Sequence, residues 1–73
     1  MTYAANWSHQ ARVDMRSLSE KERTATRSAV SVIRGRMPEV EGVEPVEGTE
    51  LEVGYEIQPR KVLGVRFVRT RSE

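Results

Sequence analysis

Residues 49–58, "TELEVGYEIQ", alternate without a break. Thr49, Leu51, Val53, Tyr55 and Ile57 fall on one side, and Glu50, Glu52, Gly54, Glu56 and Gln58 on the other. Successive side chains of an extended chain point to opposite faces, so this pattern describes a strand with one buried and one wet face. "PRK" follows as a turn. "VLGVRFVRTR" is then the return strand, with Leu63, Val65 and Phe67 on its apolar side. The apolar faces decide the register of this hairpin. A two-residue loop would turn the second apolar set onto the glutamate face. A three-residue loop, Pro59 to Lys61, pairs Ile57 with Leu63, Tyr55 with Val65 and Val53 with Phe67, and is the expected one.

That register has consequences for the arginines. Arg66 is expected opposite Gly54, diagonal to Glu52 and Glu56, as a cross-strand ion-pair partner. Arg69 and Arg71 share the parity of Leu63, Val65 and Phe67, which places them on the core face but past the end of the core. A buried unpaired guanidinium is too costly to keep. Arg69 and Arg71 must therefore open onto a cleft or the end of the sheet, where their planar forks suit a phosphate or carboxylate. The plainer alternative is a solvated chain end.

An isolated hairpin is marginal in water, and the upstream residues supply its cover. "TYAANW" alternates Tyr3, Ala5 and Trp7 against small or polar neighbours, as a short strand does. The period then changes. Ala11, Met15 and Leu18 at i, i+4, i+7, with Ser8 as N-cap, predict a helix over about residues 9–18. Ser19 and Glu22 have the spacing of a capping box, so a second helix starts at about residue 20. Its stripe is Ala25, Ala29, Val30, Ile33 and Met37, and Gly35 and Pro38 mark its end. "PEVEGVEPVEG" is irregular, with a short edge strand expected around Val43–Val46, where Pro45 is tolerated. The expected fold is α+β: a strand, an antiparallel helical hairpin, then two or three antiparallel strands, with both helices on one sheet face. At 73 residues it is one domain spanning 1–73, whose core supplies only roughly 3–5 kcal/mol.

The net charge of +1 conceals three blocks. Residues 1–37 hold seven Lys/Arg against three acids, residues 38–58 hold seven glutamates and no cation, and residues 59–73 hold five Lys/Arg against Glu73. Opposite blocks that fold together pair internally, so a nucleic-acid surface requires cations that outlast the pairing. With no cysteine and one histidine, His9, neither a zinc site nor a His-centred triad is expected, and no cofactor motif is present. No apolar run is long enough to cross a membrane, and no signal peptide is visible, so the expectation is a cytoplasmic protein.

Two segments carry a family likeness. "NWSHQARVDMRSL" resembles the opening of the RelE/ParE toxin superfamily at Trp7, Ser8, Ala11, Asp14, Met15 and Leu18. "GYEIQPRKVLGVRFVRTR" is similar to its last hairpin at Tyr55, Ile57, Val68 and Arg71. The resemblance implies the toxin of a bacterial or phage type II toxin–antitoxin pair, neutralised by a cognate antitoxin. RelE-like members cut mRNA on the ribosome, and ParE-like members block DNA gyrase. It also implies that Arg71 and Arg69 occupy the position of the last-strand catalytic arginine. Arg60 and Lys61, in the turn, join them as candidate RNA contacts. The chain departs from the nucleases in its glutamate-rich middle region and in "TRSE", which has no aromatic. Three readings therefore stand: an mRNA endonuclease, a gyrase-directed toxin without nuclease activity, and a non-catalytic module that keeps the fold.

RNA cleavage by 2′-hydroxyl attack requires a general base, a general acid and phosphate neutralisation. Glu56 or Glu52 as base, Tyr55 as acid and Arg69 with Arg71 on the phosphate are the candidates. The register sets Tyr55 and the glutamates on opposite faces, so this base and acid are not expected to meet. Tyr3 and Trp7 are read as core. Arg12, Arg16, Arg23, Arg27 and Arg34 are read as a solvated helix face that could also serve a ribosome or an acidic partner.

Overall fold

The computed structural model describes residues 2–71. Glu73 and the close of "TRSE" lie outside them. The chain runs β1 (Ala4–Trp7), α1 (His9–Arg16), α2 (Glu20–Arg36), β2 (Gly42–Pro45), β3 (Leu51–Gln58) and β4 (Val62–Thr70). The four strands form one sheet in the order β1-β4-β3-β2. β1 lies parallel to β4, and the other pairings are antiparallel. Both helices cover one face. The core between the layers is built from Ala11, Met15, Val30 and Ile33 below and Val53, Tyr55, Leu63, Val65 and Val68 above.

The helix signals act as their chemistry requires. Ser8 accepts the Ala11 N–H, and Ser19 and Glu22 make the reciprocal capping box. α2 runs one residue past Gly35. Met37 takes the left-handed cap at φ 51°, so a methionine holds the position that glycine usually fills. The apolar stripe of α2 omits one core member: Thr26 is fully buried, its hydroxyl donating back to the Glu22 carbonyl at 2.8 Å. The edge strand is present as β2, with Pro45 paired at the sheet margin, and the neighbouring Val46 is completely buried.

The hairpin matches expectation near its turn and departs from it farther out. Ile57 faces Leu63 and Tyr55 faces Val65 across the three-residue loop. Beyond that point a bulge intervenes. Gly54 faces Phe67 and Val53 faces Val68, leaving Arg66 as the extra residue of β4. The expected pairing of Val53 with Phe67 is therefore corrected by one residue. Val68, not Phe67, enters the core, where it is 4% exposed. Phe67 lies on the outer face over Gly54, where a Cβ would collide with its ring. The parity of everything downstream flips with it. Arg69 stands on the outer face rather than the core face, and Arg66 is unpaired in the ladder rather than opposite Gly54.

Two residues of the α1 region hold this irregularity. β1 stops at Trp7, so β4 beyond Val65 has lost its neighbour on that side. The Ser8 hydroxyl donates to the Arg66 carbonyl at 2.7 Å, and the Asp14 carboxylate accepts the Val68 N–H at 2.9 Å. The Val68 N–H would otherwise go unsatisfied at a partly buried place, at about 1–3 kcal/mol, whereas the Arg66 carbonyl lies at an exposed one.

Candidate functional site

The face of the sheet away from the helices carries the chain's concentrated polar chemistry. Phe67 packs on Gly54, and the Arg69 guanidinium lies 4.3 Å from the Phe67 ring centroid. Arg69 Nε also meets Glu52 Oε2 at 2.6 Å. The Glu52 side chain is only 17% exposed, so this is the most sheltered ion pair of the face. Arg66 sits between two carboxylates, with Nη1 3.3 Å from Glu41 and Nε 3.7 Å from Glu56. Both of those pairs are well exposed and contribute about 0–1 kcal/mol each. Two guanidiniums thus face three carboxylates.

The sequence candidates separate into distinct places. Arg69 joins Glu52, Glu56 and Arg66 on the outer face, which only the bulge makes possible. Arg71 lies at the end of the hairpin, its Nη2 donating to the Thr49 carbonyl and its backbone N–H to the Glu50 carbonyl, both at 2.8 Å. Arg60 and Lys61 occupy the turn at the opposite end, with φ 66° and 59°. β4 spans nine residues, so the turn and Arg71 are roughly 30 Å apart. Arg60 and Lys61 do not share a site with Arg69 and Arg71.

Tyr55 lies on the core side, as its parity required. Its hydroxyl donates to Glu44 at 3.2 Å, and Glu44 is ion-paired with Arg36. Burial raises the Tyr55 pKa, and the Glu44 carboxylate adds to the rise through its charge and the hydrogen bond, against a smaller opposing pull from Arg36. A phenol that holds its proton more tightly, on the face opposite Glu52 and Glu56, cannot act with them on one phosphate. No group of three or more His, Cys, Asp or Glu with metal-binding geometry occurs among the described residues. None of their helices is long and apolar enough to cross a membrane.

No protein-family model matches this sequence, and no curated protein matches it significantly. Solved structures do match. A chain of the intact E. coli RelBE toxin-antitoxin complex superimposes with TM-score 0.81 at 12% identity, covering 97% of this chain and 99% of that one. The isolated E. coli RelE toxin gives 0.79 at 13% identity, covering 97% and 86%. The archaeal RelE–RelB complex from Pyrococcus horikoshii gives 0.71 at 20% identity, covering 100% and 99%. The fold is that of the RelE toxins. The likeness in "NWSHQARVDMRSL" has a structural basis within this RelE fold. Ser8 and Asp14 hold the backbone of β4 at the bulge, and Ala11 and Met15 fill the core beneath it.

A second polar surface lies on the helix side. A groove of about 600 Å³ runs between β1 and the helices. Met15, Val30 and Trp7 form its apolar part, and Arg12, Arg27 and Arg34 its cationic part. The ion pairs among the described residues draw every carboxylate from residues 38–58 and every guanidinium from Arg36, Arg66 and Arg69. The acidic block thus neutralises cations of both basic blocks across the fold, and the groove gathers three of the arginines that outlast this pairing, while Arg16, Arg23, Arg60, Lys61 and Arg71 are others that lie outside it. The solvated helix face expected from the sequence holds for Arg12, Arg16 and Arg27, which are exposed, but that reading did not foresee the concavity. The parity that places Trp7 beside Met15 was the available signal.

Proposed function

We propose that this chain is the toxin of a type II toxin–antitoxin pair, and that it works by binding a protein target rather than by cutting RNA. The toxin reading rests on a RelE fold that accounts for nearly the whole chain. The observation that carries the second half is the state of the outer face. Its arginines are each engaged by a carboxylate of the same chain, and the carboxylates outnumber them. An RNA backbone approaching this face meets net negative charge. Tyr55, the general acid that the sequence offered, is turned into the core, and arginine keeps its proton. DNA gyrase is the target class implied by the gyrase-directed branch of the superfamily, and a cognate antitoxin is the implied partner.

Ribosome-dependent mRNA cleavage is the second reading, favoured by one specific observation. The bulge brings Arg69 onto the same face as Glu52 and Glu56, so a cation and two candidate bases stand together. Inducible expression in bacterial cells separates the readings, with wild type beside Arg69→Ala and mRNA 5′ ends mapped during growth. Growth arrest without new cuts, unchanged in Arg69→Ala, is the expected result. Codon-phased cuts that vanish in Arg69→Ala would establish the nuclease instead. Absence of arrest in a host carrying the target would sink both.

A further inference from the structure

The groove on the helix side takes its lining from three elements. One face of α2 supplies Arg27, Val30, Ser31 and Arg34, which fall at i, i+3, i+4 and i+7. Arg12 and Met15 of α1 are neighbours at i, i+3, and Trp7 of β1 forms the third side. Arg34 is strapped to β1: its Nε donates to the Tyr3 carbonyl at 2.6 Å, and its own carbonyl accepts the Tyr3 N–H at 3.3 Å. That strap uses one donor of the guanidinium and fixes the rest in place. The remaining donors have no partner among the described residues.

The charge of the groove is one-sided. Arg12 and Arg27 make neither an ion pair nor a side-chain hydrogen bond among the described residues. No aspartate or glutamate lines the groove. Three like charges around one concavity repel one another, and an anion with several charges relieves all three at once. A single carboxylate answers only one guanidinium. Arg27 and Arg34 stand two helical turns apart, about 10 Å, with Ser31 between them on the same face. Their long side chains reach inward from both ends, and planar forks bind phosphate oxygens in pairs. The lining also has an apolar part. Trp7 is half-buried, and Met15 and Val30 lie beside it. At about 600 Å³ the groove has the size of a small-molecule site.

We propose that this groove binds a nucleoside polyphosphate, with its base against Trp7 and its phosphates among Arg12, Arg27 and Arg34. A flat ring tied to a short chain of anionic groups satisfies both characters of the lining. The ring covers the apolar patch at Trp7, where offset stacking adds to the area buried. The phosphate chain carries enough charge to answer three guanidiniums. Each half of the ligand uses a different half of the groove, so neither a bare nucleoside nor an inorganic polyphosphate matches the whole. The proposal requires the groove and not the toxin activity, so it stands or falls whether or not the chain arrests growth.

Trp7 is the only tryptophan of the chain, so its fluorescence reports on the site directly. The test titrates the full chain with ATP and with GTP in magnesium-free buffer at fixed ionic strength, and calorimetry repeats the titration independently of the fluorophore. Saturable quenching by at least one nucleotide is expected. Adenosine or guanosine, and tripolyphosphate, should each bind about tenfold or more weakly than that nucleotide. Nucleotide binding should weaken about tenfold or more in Arg12→Ala/Arg27→Ala and change less than about twofold in Arg66→Ala/Arg69→Ala. Arg12 and Arg27 are exposed on helices, so the first variant keeps the fold. Four results would each overturn the proposal: no saturable binding by either method, tripolyphosphate binding as tightly as the nucleotide, equal nucleotide binding by Arg12→Ala/Arg27→Ala, or tighter binding of oligouridylate than of either nucleotide.

Discussion

The two arginine-bearing surfaces of this molecule are built from similar side chains and differ in what surrounds them. On the outer face, Arg66 and Arg69 are met by Glu41, Glu52 and Glu56, and Arg69 is further fixed over Phe67. In the groove, Arg12 and Arg27 stand without a partner among the described residues, beside the half-buried Trp7. A guanidinium already engaged by its own chain must give up that partner before it can bind a ligand. One left free in a concavity gains from any anion that reaches it. The RelE fold thus gathers, in this chain, three arginines without an ion pair among the described residues on the side opposite its glutamate-covered sheet face.

The contrast depends on the bulge, and the largest effect is expected where the bulge is held. Asp14→Ala removes the acceptor of the Val68 N–H and should cost about 2 kcal/mol in denaturant unfolding. Asp14→Asn keeps an acceptor and should cost clearly less. Faster amide exchange at Val68 in Asp14→Ala, with Ala5 unchanged, would tie the loss to the outer-face hairpin.

Gly54→Ala comes next. The new methyl group must displace Phe67 and the guanidinium stacked on it, at about 1–2 kcal/mol. The same substitution should leave nucleotide binding at the groove unchanged, which sharpens the separation of the two surfaces. Ser19→Ala should cost about 1 kcal/mol by breaking the capping box of the helix that carries Arg27 and Arg34.

The pH dependence of stability divides along the same line. The Glu22 pKa is lowered, first by the Ser19 backbone N–H and then by its side chain. Its contribution is present above the ordinary carboxylate value and lost as pH falls through the lowered one. The Tyr55 pKa is raised, so its contribution is present below about pH 10 and lost as pH rises through the raised value. Thermal unfolding of Ser19→Ala in acid and of Tyr55→Phe in alkali should each show a flatter pH profile than wild type in its own window. The smallest effect is expected from Arg69→Ala, below about 1 kcal/mol, because its ion pair is largely solvated on the arginine side.

Much of this architecture was legible in the chain. Caps at Ser8 and Ser19, the alternation of Leu51 to Ile57 and the three-residue turn all rest on local chemistry, and each appears where expected. The outer face was not legible. A period of two carries parity forward indefinitely, and one inserted residue reverses it. Val65, Phe67 and Val68 include two adjacent apolar residues, so either parity could fill the core. Gly54, inside a strand, was the residue that pointed to a bulge. The support for that bulge comes from Ser8 and Asp14, more than fifty positions away. No local pattern could reveal that Asp14 holds Val68 and thereby decides which face Arg69 takes.

The most direct test of the contrast is the affinity for polyglutamate at low salt, measured for wild type, Arg12→Ala/Arg27→Ala and Arg66→Ala/Arg69→Ala. Free groove charge and neutralised outer-face charge predict a loss of about tenfold or more in the first variant, and less than about twofold in the second. A larger loss in the second would mean that the outer-face arginines are the ones available to an anion, and would return that face to the centre of the protein's function.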